Sequence, residues 1–178
     1  MSTGIERIME SRRIDRSSGY SVFTRRLVRF VMRGARVVEG NIHVTEGQSL
    51  AIFLQTRRNI ASLTEARWIG PGMQVVPHMA FRTDKILWAS SLDDGFPVAG
   101  GVRAVPNPRW AEITLDDGTI MHVGMYLADE QRLTDYFEAT PPFLPVMQAT
   151  VVGSGRLLGP VAINTSAILA VREIEKLT

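Results

Sequence analysis

Three histidines, two Asp-Asp-Gly runs, two Gly-X-Gly triplets and a strip of arginines are the residues whose types could carry chemistry in this chain. A metal centre needs several donors converging on one point. His43, His78 and His122 have no ligand spacing, so they read as surface or rim histidines. The carboxylate pairs Asp93-Asp94 and Asp116-Asp117 would suit acid–base work. Each is followed by a glycine, however, and Asp-Gly is a turn signal. Gly70-Pro71-Gly72 and Gly153-Ser154-Gly155 look superficially like phosphate loops. A Walker loop needs Gly-Lys-Ser/Thr opening a helix, and a dinucleotide fingerprint needs a third glycine after a strand. Both conditions fail, and hairpin turns are the expectation. Arg132 and Asp135, three residues apart, read as a local ion pair or a helix cap, worth under ~1 kcal/mol if exposed. Cysteine is absent from the chain, which excludes disulfides, thiolate metal sites and cysteine nucleophiles. No catalytic signature, cofactor or metal is expected.

The arginines are the more suggestive feature. Residues 1–36 hold nine Arg against Glu6, Glu10 and Asp15, a local charge of +6 in a chain of net charge +2. Arg12, Arg13 and Arg16 follow Ile5, Ile8 and Met9, which sit at helical spacing in an N-terminal arm over residues 1–19. Arg25, Arg26, Arg29, Arg33 and Arg36 follow on, and strand spacing puts Arg29 and Arg33 on one face with Arg25 able to join it. Such a strip suits an acidic protein partner, anionic headgroups or the acidic second half of the chain. It also suits single-stranded nucleic acid, but stacking aromatics are not interleaved with it, so nucleic acid is the minority reading.

The elements that must position these residues come from a repeat. Shifting the chain by 83 residues lays Arg109 to Arg172 over Arg26 to Trp88. Gln48 falls on Gln131, Leu50 on Leu133, Ala66 on Ala149, Gly70 and Gly72 on Gly153 and Gly155, and Pro77 on Pro160. After a one-residue slip, Thr83, Ile86 and Leu87 fall on Thr165, Ile168 and Leu169. Residues 26–88 carry nine basic and four acidic side chains (+5), and residues 109–172 carry four and seven (−3). The two halves are therefore expected to face different things.

Val28, Phe30 and Met32 alternate with Arg29, Val31 and Arg33, the period of a strand. Ala111, Ile113 and Leu115 repeat the inward face, while Glu112 and Asp116 replace Arg29 and Arg33 with the sign reversed. A second strand follows in each copy, with Val38, Gly40, Ile42 and Val44 inward in the first, and Glu39, Asn41 and His43 outward. The period then changes to that of a helix at Leu50, Phe53, Leu54 and at Leu133, Tyr136, Phe137. Strands are expected again over 60–69 and 143–152, and after the glycine turns over 74–81, 85–90, 157–163 and 167–172. The organisation expected is an arm (1–19), a first β module (20–90), a Gly/Pro linker that packs as a covered loop (91–108), a second β module (109–172) and a polar tail (173–178). The fold class is mostly β: two tandem small barrel-like modules of the SH3 or Sm type, each of about five short strands and one short helix, closure being a common way to remove sheet edges. A sandwich formed jointly by both copies is the alternative.

Residues 117–168 also resemble an uncharacterised family of small bacterial β-rich domains. The resemblance rests on Asp117-Gly118, on Arg132-Leu133-Thr134-Asp135-Tyr136-Phe137, on Phe143-Leu144-Pro145-Val146 with Ala149, and on Ala162-Ile163-Asn164-Thr165-Ser166-Ala167-Ile168. It implies a hairpin, a helical turn and two further strands, and no catalytic role. The first copy keeps the apolar frame but has Ser49 and Ile52 where the second has Arg132 and Asp135.

Charge and modularity together suggest a non-catalytic structural or interaction protein. It is expected to be a peripheral accessory subunit that docks through the arm and the basic first module onto an acidic or membrane-associated assembly. A nucleic-acid-binding or regulatory small-ligand-binding barrel is the alternative. No apolar run reaches the ~20 residues that span a bilayer, and no secretory signal is visible over 1–18, so the cytoplasm, or the cytoplasmic face of a membrane, is the expected compartment.

Overall fold

A computed structural model describes residues 23–93, 96, 108–125, 127 and 130–175. The first copy runs β1 (Phe23–Met32), β2 (Arg36–Thr45), α1 (Leu50–Thr56), β3 (Ile60–Trp68), β4 (Val76–Arg82), a 3-10 turn (Thr83–Lys85) and β5 (Ile86–Ser91). The second runs β6 (Arg109–Leu115), β7 (Ile120–Met125), α2 (Leu133–Glu138), β8 (Phe143–Val146), β9 (Gln148–Val151), β10 (Arg156–Leu158), β11 (Val161–Asn164), a 3-10 turn (Thr165–Ala167) and β12 (Ile168–Ile174). The chain is thus mostly β, in two antiparallel sheets.

Strand order is β4-β3-β2-β1-β5-β11-β8 in one sheet and β10-β9-β7-β6-β12 in the other. Several pairings recur about 83 residues on. Arg29 faces Glu39 and, 83 residues on, Glu112 faces His122. Val31 faces Trp88 and Met32 faces Ile86 across a bulge, and Thr114 faces Ala170 and Leu115 faces Ile168 across the same bulge. Ala61 faces Phe81 as Leu144 faces Ile163.

Two expectations are corrected. The copies do not close into separate barrels. The end strands of neither sheet pair with each other, so the order stays open. Nor is each copy self-contained. The strand expected over 143–152 is two strands, β8 and β9, broken at Met147, and the strand expected over 157–163 is β10 and β11, broken at Gly159-Pro160. The outer pair, β8 and β11, leaves the second sheet and extends the first, β11 pairing with β5. In the first copy Met147 corresponds to Thr64, and the next residue, Glu65, lies in the left-handed region (φ 48°), so the bend is present there as a bulge. The last strand also runs two residues past its expected end, to Ile174.

Two hydrophobic clusters follow from this arrangement. One gathers Val28, Phe30, Val38, Ile42, α1 and Phe81 with Phe143 and Ala162 of the second copy. The other gathers Ile113, Met121, Val123, Leu144 and Ile163 with Val31, Leu87 and Trp88 of the first. Each core borrows side chains from the other copy, so burial itself ties the two together. Phe96, inside the expected linker, is buried against the first cluster. Among the described residues no helix is long and apolar enough to cross a membrane.

The turns follow their glycines. Gly118 (φ 86°) closes the β6–β7 hairpin, where Asp117 Oδ1 accepts from Thr119 N at 2.9 Å. Asp116-Asp117 is therefore turn chemistry. Ser49 caps α1, its hydroxyl accepting from Ile52 N at 3.3 Å. Arg132, at the matching place before α2, makes no side-chain cap bond, because it offers no short acceptor oxygen.

Candidate interaction surface

The arginine strip is where the sequence points first. Arg12, Arg13 and Arg16 lie outside the described residues. The strand arginines are brought together, but onto partners within the chain. Arg25 pairs with Glu65, and Arg33 pairs with Asp116. Arg26 lies 3.9 Å from Asp93 and 6.0 Å from the centre of the Phe96 ring. Arg29 donates to Glu39 from Nε at 3.0 Å and from Nη2 at 2.5 Å. Arg36 stacks on Trp68, 4.0 Å from the ring centre. Each described arginine of the strip thus has a neighbour of opposite charge or an aromatic ring within the chain.

Glu39 is the hub. The sequence puts it on the outward face of β2, yet it is buried, clamped by Arg29 and by Arg67 Nη2 at 3.2 Å. Burial pushes its carboxyl up, and the two guanidiniums more than offset this, leaving it below the ordinary carboxylate value. Glu112 does the same on the second sheet. Arg172 Nε donates to it at 2.6 Å and His122 Nε2 lies 3.1 Å away, and these contacts, Arg172's first, hold its carboxyl low. His43 Nε2 sits 3.2 Å from Thr64 Oγ1, and His78 lies on the edge strand β4. No group of three or more His, Cys, Asp or Glu able to hold a metal forms among the described residues.

What the sequence did not show is a pair of open edges. Among the described residues β4 is bonded only to β3 and β12 only to β6, as β8 is only to β11 and β10 only to β9; β4 and β12 are the two that end the matching strand orders. Unpaired strand edges present rows of N–H and C=O groups to any incoming strand. Beside β12 lies an apolar groove of about 360 Å³, lined on one wall by Leu133, Thr134 and Phe137 of α2 and on the other by Ile168, Leu169 and Val171. α2 has no buried residue, whereas Leu50, Ala51, Phe53 and Leu54 of α1 are all buried. Near the other edge, Ile60, Ile69, Met73 and Val75 are exposed. Only the amphipathic spacing of Leu133, Tyr136 and Phe137 hinted at this surface, and nothing local says that the helix goes uncovered.

No protein-family model, curated protein or solved structure matches the chain.

Proposed function

We propose that this protein is a non-catalytic structural subunit that works by joining other protein chains through its open strand edges. The observation that carries the reading is the α2–β12 face: an unpaired strand and a half-covered apolar helix enclosing a groove. Apolar surface of this kind, rimmed by polar groups, is the usual mark of an interaction site, and adding a strand to an open edge is a general route to recognition. The recurring pairings support two tandem modules of one small β fold, joined by the passage of β8 and β11 into the first sheet. The positive first copy favours an acidic protein surface as partner.

The test is recovery of the tagged chain from its native cells under gentle conditions, membranes included, beside a Leu169→Glu variant. The wild type should travel in an assembly larger than the monomer, and the variant should not. A chain recovered alone in both cases would overturn the reading.

A further inference from the structure

Resting on that reading of the edges, we infer that the partner is a second copy of this chain. The β3–β4 hairpin of one molecule enters the α2–β12 groove of the next, head to tail. The template is the junction already present inside each chain.

At that junction β11 adds to β5, with Val161 opposite Ser90, Ala162 opposite Ala89 and Ile163 opposite Trp88. The chain continues the ladder from Ser91 N to Pro160 O at 3.1 Å. α1 lies over the added hairpin, and Gln55 Nε2 donates to Phe143 O at 2.7 Å. The repeat converts each half of this junction into a surface at one end of the molecule. β5 corresponds to β12, α1 to α2, β8 to the first half of β3, and β11 to the second half of β4. The inside of the junction is filled, and among the described residues its counterparts at both ends are open.

Exposure shows the same thing residue by residue. Leu87 is 0% exposed and its counterpart Leu169 is 71% exposed. Phe143 is 3% exposed and its counterpart Ile60 is 52% exposed. Ala162 is buried, while its counterpart Ala80 is exposed. Burying these residues in a second copy restores the pattern the chain already uses once. Charge agrees with the direction: the end that inserts belongs to the basic copy, and the groove to the acidic one. Arg33 and Asp116 already pair with each other inside the chain, so they are not counted toward the contact between molecules. Two contacts are not repeated, because Glu138 stands at the place of Gln55, and Arg82, held by Asp84, at that of Asn164.

The inferred pairing has a definite register. Transferring Val161–Ser90, Ala162–Ala89 and Ile163–Trp88 by the repeat places Met79 opposite Arg172, Ala80 opposite Val171, and Phe81 opposite Ala170. Such a contact joins two different surfaces, so it does not end at a dimer; it closes into a ring or continues as a filament.

The absence of native cysteine makes the register testable. Residues facing each other across antiparallel strands have Cβ atoms about 4.5–5.5 Å apart, near enough for a disulfide after small adjustment. Purified Ala80→Cys and Val171→Cys variants should each stay uncross-linked on mild oxidation. Their equimolar mixture should give a covalent dimer and nothing larger, and the double variant a ladder of multimers, which Leu169→Glu or Ile60→Glu should abolish. Light scattering should show the wild type above monomer mass and both glutamate variants at it, with cooperative melting retained. A wild type that stays monomeric at tens of micromolar, or single-cysteine variants that cross-link with themselves, would overturn the inference. Loss of the cellular assembly on Leu169→Glu from a chain that is monomeric when pure would leave the structural-subunit reading standing, with a foreign strand as partner.

Discussion

Arg33 and Asp116 hold the same place in the two copies, 83 residues apart, and they form an ion pair with each other. The reversed sign visible in the repeat is therefore the complementarity of a contact between the copies. Both side chains are about one-third exposed, so the pair contributes modestly, on the order of 0.5–1 kcal/mol. Arg33→Asp should lower stability by about that amount plus the repulsion of two carboxylates. The swap Arg33→Asp with Asp116→Arg should recover most of the loss in a urea-denaturation double-mutant cycle. Equal losses in the single and swapped variants would show that the pair is not coupled.

Glu39 should cost more. Its carboxylate is covered, and both guanidiniums that clamp it would be left short of a partner by Glu39→Gln, a loss of about 2 kcal/mol. The pH dependence has a definite sign. The folded carboxyl titrates below the ordinary value of 4.5, so its contribution is complete above that value and disappears as the pH falls through the depressed one. Stability of the wild type should therefore drop on acidification below about pH 4.5, and Glu39→Gln should flatten part of that drop. Chemical denaturation between pH 3 and 7 reads both effects.

Asn164 is the buried polar link between the copies. Its Nδ2 donates to Ile86 O at 2.8 Å, and its Oδ1 accepts from Ser166 N at 3.0 Å and Ser166 Oγ at 2.8 Å. Asn164→Leu keeps the volume but strands a buried carbonyl and a backbone N–H, costing about 1–3 kcal/mol. Because Ile86 begins β5, the loss should appear first as faster amide exchange along β5 and β11. Uniform loss of protection across the molecule would show that the copies unfold as one unit.

Much of the fold could be read from local pattern. Val28, Phe30 and Met32 alternate because one face of β1 is core, and Leu50, Phe53 and Leu54 repeat at helical spacing because one side of α1 is. Asp-Gly and Gly-X-Gly mark turns for reasons that need no distant partner. What local pattern does not carry is which strand lies beside which. The bend at Met147 and Gly159-Pro160, and the transfer of β8 and β11 to the neighbouring sheet, depend on contacts between residues about 70 positions apart, such as Ala89 with Ala162. The same holds for the arginines. Arg29 reads as a free surface cation because Glu39 faces it only once the hairpin forms, and Glu39 and Asn41, outward by alternation, are buried because β3 and its side chains cover them.

The close approach of β2 to β3 gives the sharpest steric prediction. A Cβ on Gly40 would lie 3.0 Å from Leu63 Cβ and 3.1 Å from both Ala66 Cα and Thr64 O. Two of those three atoms are backbone and the third is fixed to it, so no rotamer change relieves the contact. The bulge at Glu65 lies in the same stretch, opposite Gly40. Gly40→Ala should therefore force the strands apart and cost about 1–3 kcal/mol, despite the gain in strand propensity that alanine would otherwise bring. Urea denaturation should show a lower midpoint at unchanged slope. The second copy places Val123 at the matching position, where β9 begins afresh after the break at Met147 instead of bulging. A side chain is thus accommodated at that position of the second copy, and an alanine tolerated at Gly40 without loss would show that β2 and β3 part readily to admit a Cβ.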